Sequence, residues 1–139
     1  MMNSDDFPGQ RKNVLHRWWY VLLLAIAVAV IPLILLYVFG FSIKTSDEYD
    51  CAIRMAEQSA QVIAVTGEPI TPGLFAWTRY FESGPGLRQG YFSTAVSGPR
   101  GRGTLYVHFY RTPIGASFDV WFESGRQRFS VYSGDYRCP

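Results

Sequence analysis

Residues 97–109, SGPRGRGTLYVHF, place a glycine-rich segment directly before a run in which apolar and polar side chains alternate. The glycines predict the turn of a β-hairpin, because glycine adopts the positive φ angles that tight turns require. We expect Arg100 and Arg102 to lie in solvent at the tip of this turn. The alternation from Leu105 onward predicts a strand with one buried face and one exposed face.

The same period of two recurs on both sides of this hairpin and predicts five strands in all. Clusters of glycine, proline and serine separate the strands, which is typical of an antiparallel meander. The predicted strands cover residues 75–81, 89–96, 104–110, 117–123 and 128–132.

A helix is predicted before the strands, over residues 48–65, with Thr45-Ser46-Asp47 as its N-terminal cap and Gly67 at its end. It carries a stripe of small and apolar residues that would allow close approach to a sheet. The stripe consists of Ala52, Ile53, Ala56, Ala60, Val62 and Ile63. The fold class is therefore α+β, with one helix packed on an antiparallel meander of about five strands.

Alternation in the last three predicted strands separates two faces. The residues expected to face the helix are apolar: Leu105, Val107, Phe109, Phe118, Val120, Phe122, Phe129 and Val131. The opposite face carries Tyr106, His108, Tyr110, Asp119, Trp121, Glu123, Arg128, Ser130 and Tyr132. Tyrosine, tryptophan and arginine dominate interface hot spots, so this face is a candidate partner-binding surface. Its predicted contacts are Tyr106, His108, Tyr110, Trp121 and Tyr132.

An alternative interpretation of the same face is structural. Aromatic side chains on neighbouring strands also form cross-strand pairs that stiffen a solvated sheet, and a loop could fold over them. Alternation alone does not separate the two interpretations.

Residues 18–43, WWYVLLLAIAVAVIPLILLYVFGFSI, contain no charged side chain. A helix rises about 1.5 Å per residue, so this run exceeds the roughly 30 Å hydrocarbon core of a bilayer. A cleaved signal peptide has a shorter apolar region, so we expect an uncleaved, single-pass anchor over residues 14–43. Arg11, Lys12 and Arg17 precede the uncharged run. The positive-inside rule therefore predicts a cytoplasmic or matrix N-terminus.

This arrangement predicts three segments of the chain: a disordered cytoplasmic tail over residues 1–13, the transmembrane anchor over 14–43, and an α+β domain over 44–139. The domain would lie in the periplasm or the intermembrane space, held at an inner membrane. Cys51 and Cys138 stand at opposite ends of it and are expected to form one disulfide in such an oxidising compartment. Two free thiols are the alternative, because spacing alone does not show that the side chains meet.

Patterns typical of enzymes and of cofactor sites are missing from this sequence. A Ser-His-Asp set would have to use His108, Asp119 and some serine, without a nucleophile-elbow motif. The cysteine and histidine spacings typical of metal sites are absent. The glycine-rich segment has the spacing of neither a Walker loop nor a dinucleotide-binding loop. The charge beyond the anchor is balanced, which argues against nucleic-acid binding. We expect a non-enzymatic protein without catalytic residues, metal or cofactor.

Several segments resemble the cytochrome oxidase complex assembly protein 1 family. Residues 65–70, VTGEPI, and Gly73 are similar to its Leu-Gly-x-Pro-Ile/Val motif and following glycine. Residues 96–107, VSGPRGRGTLYV, resemble its Val-x-Gly-x-Lys-Gly-x-Gly-x-Val-x-Val segment, and residues 118–122 and 129–131 resemble its last strands. The chain departs from the family pattern at Phe118, where tryptophan is usual, and at Arg100, where lysine is common.

The resemblance implies a domain similar to that of the inner-membrane translocase subunit Tim twenty-one. It also implies a non-enzymatic, membrane-anchored factor that binds membrane-protein partners, such as respiratory oxidase subunits, during oxidase assembly. Two alternatives are a permanent accessory subunit of a respiratory or transport complex and an outer-compartment domain that binds a small ligand.

Overall fold

The computed structural model describes residues 8–139, with side chains from Val14 onward. The elements are α1 (Pro8–Gly40), a 3-10 helix (Ser42–Thr45), α2 (Asp47–Gln58), α3 (Ala60–Thr66), β1 (Thr71–Gly84), β2 (Leu87–Ser97), β3 (Arg102–Thr112), β4 (Gly115–Ser124) and β5 (Gln127–Gly134). The fold is α+β, as predicted. The chain divides into two compact units, of which the second covers Leu36–Pro139.

Helix α1 is long and apolar enough to cross a membrane. Its segment Val14–Gly40 has 27 residues, which extend about 40 Å at 1.5 Å per residue. Nearly every side chain from residue 14 to residue 39 is exposed, and such an apolar surface suits hydrocarbon. The helix begins at Pro8 and so includes residues 8–13 of the predicted tail. Residues 1–7 of that tail lie outside the described residues.

Two short helices replace the single helix predicted over residues 48–65. The Ser46 side chain caps α2 by accepting a hydrogen bond from the Tyr49 amide at 3.2 Å. Ser59 then adopts an extended backbone, with φ −80° and ψ 113°, and its Oγ accepts a hydrogen bond from the Val62 amide at 3.4 Å. Because this side chain offers α3 its own cap, the chain turns at Ser59 and does not continue as one helix.

The five strands form one antiparallel sheet in the sequence order β1 to β5. Each strand contains the predicted strand and extends beyond it. Pairing continues up to two-residue turns, so that Gly84 lies opposite Leu87 and Thr112 lies opposite Gly115. The prediction placed these paired turn-flanking residues in loops.

The core lies between the sheet and helices α2 and α3. The residues that were predicted to face the helix all contribute to it. Six are fully buried: Leu105, Val107, Phe109, Phe118, Val120 and Phe122. Phe129 and Val131 pack against them and are partly buried. Of the predicted helical stripe, Ala52, Ala56 and Val62 are fully buried, whereas Ala60 is exposed because the chain turns just before it.

A buried carboxylate joins the start of α2 to the sheet. Glu48 is fully buried, and its oxygens accept hydrogen bonds from Arg88 Nε at 2.6 Å and Nη2 at 2.9 Å. Arg111 Nη1 lies 3.8 Å from Glu48 Oε1. The hydrogen bond to Glu48 raises the pKa of Arg88 above its usual value. Removing either arginine would leave the buried charge less compensated, so this cluster holds α2 in place.

The predicted disulfide between Cys51 and Cys138 is present. The Cα atoms are 5.2 Å apart, and the bond joins α2 to the segment after β5 across a sequence separation of 87. In the same C-terminal segment, the Tyr136 ring packs edge-on against Phe118 with 5.0 Å between the centroids. The last residues therefore fold back onto the helical side of the sheet.

The glycine-rich turn between β2 and β3 depends on close packing, and the prediction that its glycines adopt positive φ is wrong. Positive φ occurs at Gly67, Gly86, Gly125 and Gly134 among the described glycines. A Cβ at Gly98 would lie 2.8 Å from the carbonyl oxygen of Gly67, and one at Gly101 would lie 2.8 Å from that of Val65. The turn thus packs directly on the end of α3, where side chains have no room. Arg100 and Arg102 are exposed, as expected.

Candidate functional site

The sheet face opposite α2 and α3 carries a set of aromatic rings. We define the aromatic face by its outward-pointing ring side chains: Trp77, Tyr80, Tyr91, Tyr106, His108, Tyr110 and Trp121. Three of them are clearly exposed, at 48% for Trp77, 45% for Tyr80 and 41% for Tyr110. The others are half-buried against their neighbours.

One row of this face crosses all five strands, with aromatic rings in its middle and a guanidinium group at each end. The Tyr91 and Tyr106 rings stack with 6.4 Å between centroids. The Arg79 guanidinium lies 5.9 Å from the Tyr91 ring. At the other end, Arg128 lies 5.8 Å from the Tyr106 ring and 6.0 Å from the Trp121 ring. Stacking and cation–π attraction at these distances limit the rotamers of the side chains.

A second row is polar and runs beside the first. The Tyr80 hydroxyl and His108 Nε2 are 3.0 Å apart and form a hydrogen bond. His108 Nδ1 lies 4.0 Å from Asp119 Oδ2, beyond hydrogen-bond distance. Ser133 Oγ donates a hydrogen bond to Asp119 Oδ1 at 2.6 Å. Within this row the serine therefore contacts the carboxylate and not the histidine, and the order needed for a Ser-His-Asp nucleophile is not formed.

Four of the five predicted contact residues lie together on the aromatic face. Tyr106 pairs with Trp121 across β3 and β4, His108 is two residues further along β3, and Tyr110 follows at its end. Placing Tyr132 on this face was wrong. A bulge in β5 pairs Tyr132 with Val120 and Ser130 with Trp121, which turns the Tyr132 ring towards the core.

Three rings of the face were missed in the sequence: Trp77, Tyr80 and Tyr91. Tyr91 could have been found, since it alternates with the buried Phe92 in β2. Trp77 and Tyr80 are three residues apart, which contradicts a period of two. They share a face because β1 has an irregularity between Thr78 and Tyr80 that shifts its register.

A groove of about 410 Å³ lies along the β1 edge of the sheet. We call it the junction groove. One wall comes from the last turn of α1 and the 3-10 helix, and the other comes from β1 and the start of β2. Its lining residues are Val38, Phe39, Ser42, Ile43, Thr45, Ser46, Thr78, Tyr80, Phe81 and Arg88. Tyr80 belongs to both the groove and the aromatic face.

The side chains described from residue 14 onward contain no group of three histidine, cysteine, aspartate or glutamate residues that could hold a metal ion. Two tyrosine hydroxyls with a raised pKa lie on the helical side of the sheet, away from the aromatic face. Burial raises the pKa of the Tyr49 and Tyr136 hydroxyls above their usual values. The aromatic face itself presents rings, guanidinium groups and hydrogen-bonding polar groups, which are side chains that occur in protein interfaces.

Comparison of the chain with protein families, with curated proteins and with solved structures gives no match.

Proposed function

We propose that the chain is a single-pass membrane protein whose α+β domain binds an integral membrane protein through the aromatic face. The observation that supports this proposal is the row of rings and guanidinium groups that is ordered yet left open by α2 and α3. Tyrosine, tryptophan and arginine contribute most to interface hot spots. Side chains already held by stacking lose little conformational entropy on binding.

The partner is proposed to lie in the same membrane, because the anchor keeps the domain close to the bilayer. Tethering raises the effective concentration of the domain near other membrane proteins, which allows a modest face to bind usefully. Contacts within the bilayer can add to this, since nearly all side chains of α1 from residue 14 to residue 39 are exposed.

We propose an inner-membrane location with the N-terminus in the cytoplasm or matrix and the domain in the periplasm or intermembrane space. The basic residues Arg11, Lys12 and Arg17 before the uncharged run support this orientation. The disulfide between Cys51 and Cys138 also supports it, because disulfides persist in oxidising compartments.

The finer role that we propose is assistance in assembling a respiratory cytochrome oxidase, without catalytic activity of its own. Its support is the resemblance of residues 65–70 and 96–107 to an oxidase assembly family. In this chain the two segments touch, since the Arg100 amide donates a hydrogen bond to the Thr66 carbonyl at 2.8 Å. Close packing of the two segments therefore explains the glycines that this chain shares with the family motifs, whereas the identity of the partner is inferred from the resemblance.

The test is affinity capture of the tagged full chain from native membranes in mild detergent. We expect oxidase subunits to be retained by the unmodified protein. The double variant Tyr106→Ala with Trp121→Ala should retain at least fivefold less, because it removes two rings at the centre of the face. Retained proteins are identified and quantified by mass spectrometry.

Ile114→Ala is the matched control, since this apolar side chain is 97% exposed at the turn between β3 and β4, outside the aromatic face. It should retain partners at the unmodified level. Equal retention by the double variant, with unchanged thermal unfolding, would contradict the use of the aromatic face. Capture of a membrane partner without any oxidase component would be compatible with binding through the aromatic face but would contradict the role in oxidase assembly.

Two other functions remain candidates. A permanent accessory subunit would use the same face, but it would be retained in stoichiometric amounts in the mature purified complex. A ligand-binding domain is favoured by a different observation, the junction groove, whose volume of about 410 Å³ is that of a small-molecule site.

A further inference from the structure

The junction groove lies next to the segment that would leave the bilayer. Val38 and Phe39 belong to the last turn of α1, and Ile43 ends the uncharged run that begins at Trp18. All the lining residues belong to the compact unit that starts at Leu36. The covalent connection alone therefore keeps the groove within a few residues of the hydrocarbon region when α1 spans a membrane.

The lining of the groove is largely apolar and partly open. Phe39 is 48% exposed and Phe81 is 45% exposed, and they lie on opposite walls of the groove, which is also lined by the buried Ile43. Exposed apolar surface in a concave site usually marks a binding surface. This groove therefore favours an apolar occupant.

Polar groups occur at defined points of the same groove. Arg88 donates to Glu48 through Nε and Nη2, which leaves Nη1 for a further acceptor, and its guanidinium lies 5.3 Å from the Phe81 ring. The Thr78 hydroxyl is buried and has no hydrogen-bond partner within the described part of the chain. An occupant with an apolar chain and an anionic, oxygen-rich end matches this lining.

We propose that the junction groove binds one acyl chain of a phospholipid from the adjoining leaflet. A phospholipid supplies both an apolar chain and a phosphate, and the phosphate suits the cationic side of Arg88. The volume of the junction groove, about 410 Å³, falls within the range of roughly 300–1,000 Å³ that is usual for ligand sites. The proposal rests on α1 spanning a membrane and does not depend on the aromatic face, so either can fail without the other.

The test uses the full chain in lipid nanodiscs that contain phosphatidylcholine, phosphatidylglycerol and a phospholipid with a photoactivatable group on its acyl chain. After illumination, cross-linked peptides are mapped by mass spectrometry. Cross-links to α1 are expected of any spanning helix and do not discriminate. The expected result is labelling of residues 78–81 in β1, which belong to the domain and not to the anchor.

A groove-filling variant and its control make the result specific. Thr45 is an exposed groove residue, so Thr45→Trp should place an indole in the groove and reduce labelling of residues 78–81 at least fivefold. Thr71 is exposed on β1, the strand that contains residues 78–81, but lies outside the groove. Thr71→Trp should therefore leave the labelling unchanged.

Two outcomes would overturn the proposal. The first is no lipid label on residues 78–81 of the unmodified protein in nanodiscs, which would point to a protein segment as the occupant. The second is unchanged labelling of residues 78–81 in the Thr45→Trp variant, which would place the lipid contact outside the groove. Thermal unfolding of each variant, matched to the unmodified chain, shows that the fold is retained.

Discussion

Gly98 shows how one residue can be determined by its neighbours and not by its own backbone angle. The turn between β2 and β3 lies against the end of α3, and a Cβ at this position would meet backbone oxygens of Thr66 and Gly67. Backbone atoms cannot move aside as a flexible side chain can. The residue therefore requires the absence of a side chain, although its φ is not positive.

We predict that Gly98→Ala destabilises the domain by about 1–3 kcal/mol, the usual cost of forcing an extra methyl group into a packed site. In a domain of this size, each kcal/mol lowers the midpoint of thermal unfolding by roughly 4–8 °C. The measurement is thermal unfolding of the full chain in detergent, followed by near-ultraviolet circular dichroism. Gly115→Ala is the control, since nothing lies within 4 Å of a Cβ there. Equal midpoints for the two variants would refute the packing argument.

At the scale of elements, the domain is held by connections that join α2 to distant parts of the chain. The Arg88 and Glu48 ion pair joins its first turn to β2, and the Cys51 and Cys138 disulfide joins its middle to the C-terminal segment. The helix itself is short, and an isolated helix of twelve residues, the length of α2, is marginal in water. These tertiary connections therefore decide where α2 lies.

We predict that the double variant Cys51→Ala with Cys138→Ala lowers the free energy of unfolding by about 3–4 kcal/mol, because the unfolded chain regains the freedom of a long closed loop. The measurement is urea unfolding of the full chain in detergent. A reducing agent should shift the unmodified protein to the same midpoint and leave the double variant where it is. An unmodified protein that is insensitive to reduction would contradict the prediction.

At the scale of the whole molecule, the anchor and the domain have opposite requirements. From residue 14 to residue 39, helix α1 exposes a largely apolar surface, whereas the domain buries its apolar residues between sheet and helices. An apolar environment around α1 and water around the domain would satisfy both requirements. A membrane surface offers both environments at once.

The proposed orientation predicts a labelling pattern for single added cysteines. Ser83→Cys lies at the exposed end of β1, and Ser4→Cys lies in the N-terminal tail. In intact spheroplasts or mitoplasts, a membrane-impermeant maleimide should label Ser83→Cys at once and Ser4→Cys only after lysis. The native cysteines do not compete because they are joined in the disulfide. The reverse pattern would place the domain on the inner side.

Much of the fold was predictable because its signals are local. The uncharged run, the turn residues and the alternation from Leu105 to Val131 each act within a few positions, and the buried face follows from them. Three of the failures come from places where a regular helix or strand period is interrupted. Ser59 breaks the helix, and irregularities in β1 and β5 shift Trp77, Tyr80 and Tyr132 to other faces than a constant period predicts. An extra residue in a strand moves every side chain after it to the opposite face of the sheet.

Sequence patterns alone predict the apolar helix, the α+β class, the order of the strands and most of the buried face, because hydrophobic period and turn chemistry are read residue by residue. The three-dimensional structure was needed to show that Cys51 meets Cys138, that Arg88 reaches Glu48, and that the β2–β3 turn packs on α3. It also decided the full membership of the aromatic face and the existence of the junction groove. Those features depend on where distant segments come together, and composition and spacing carry no information on such distances.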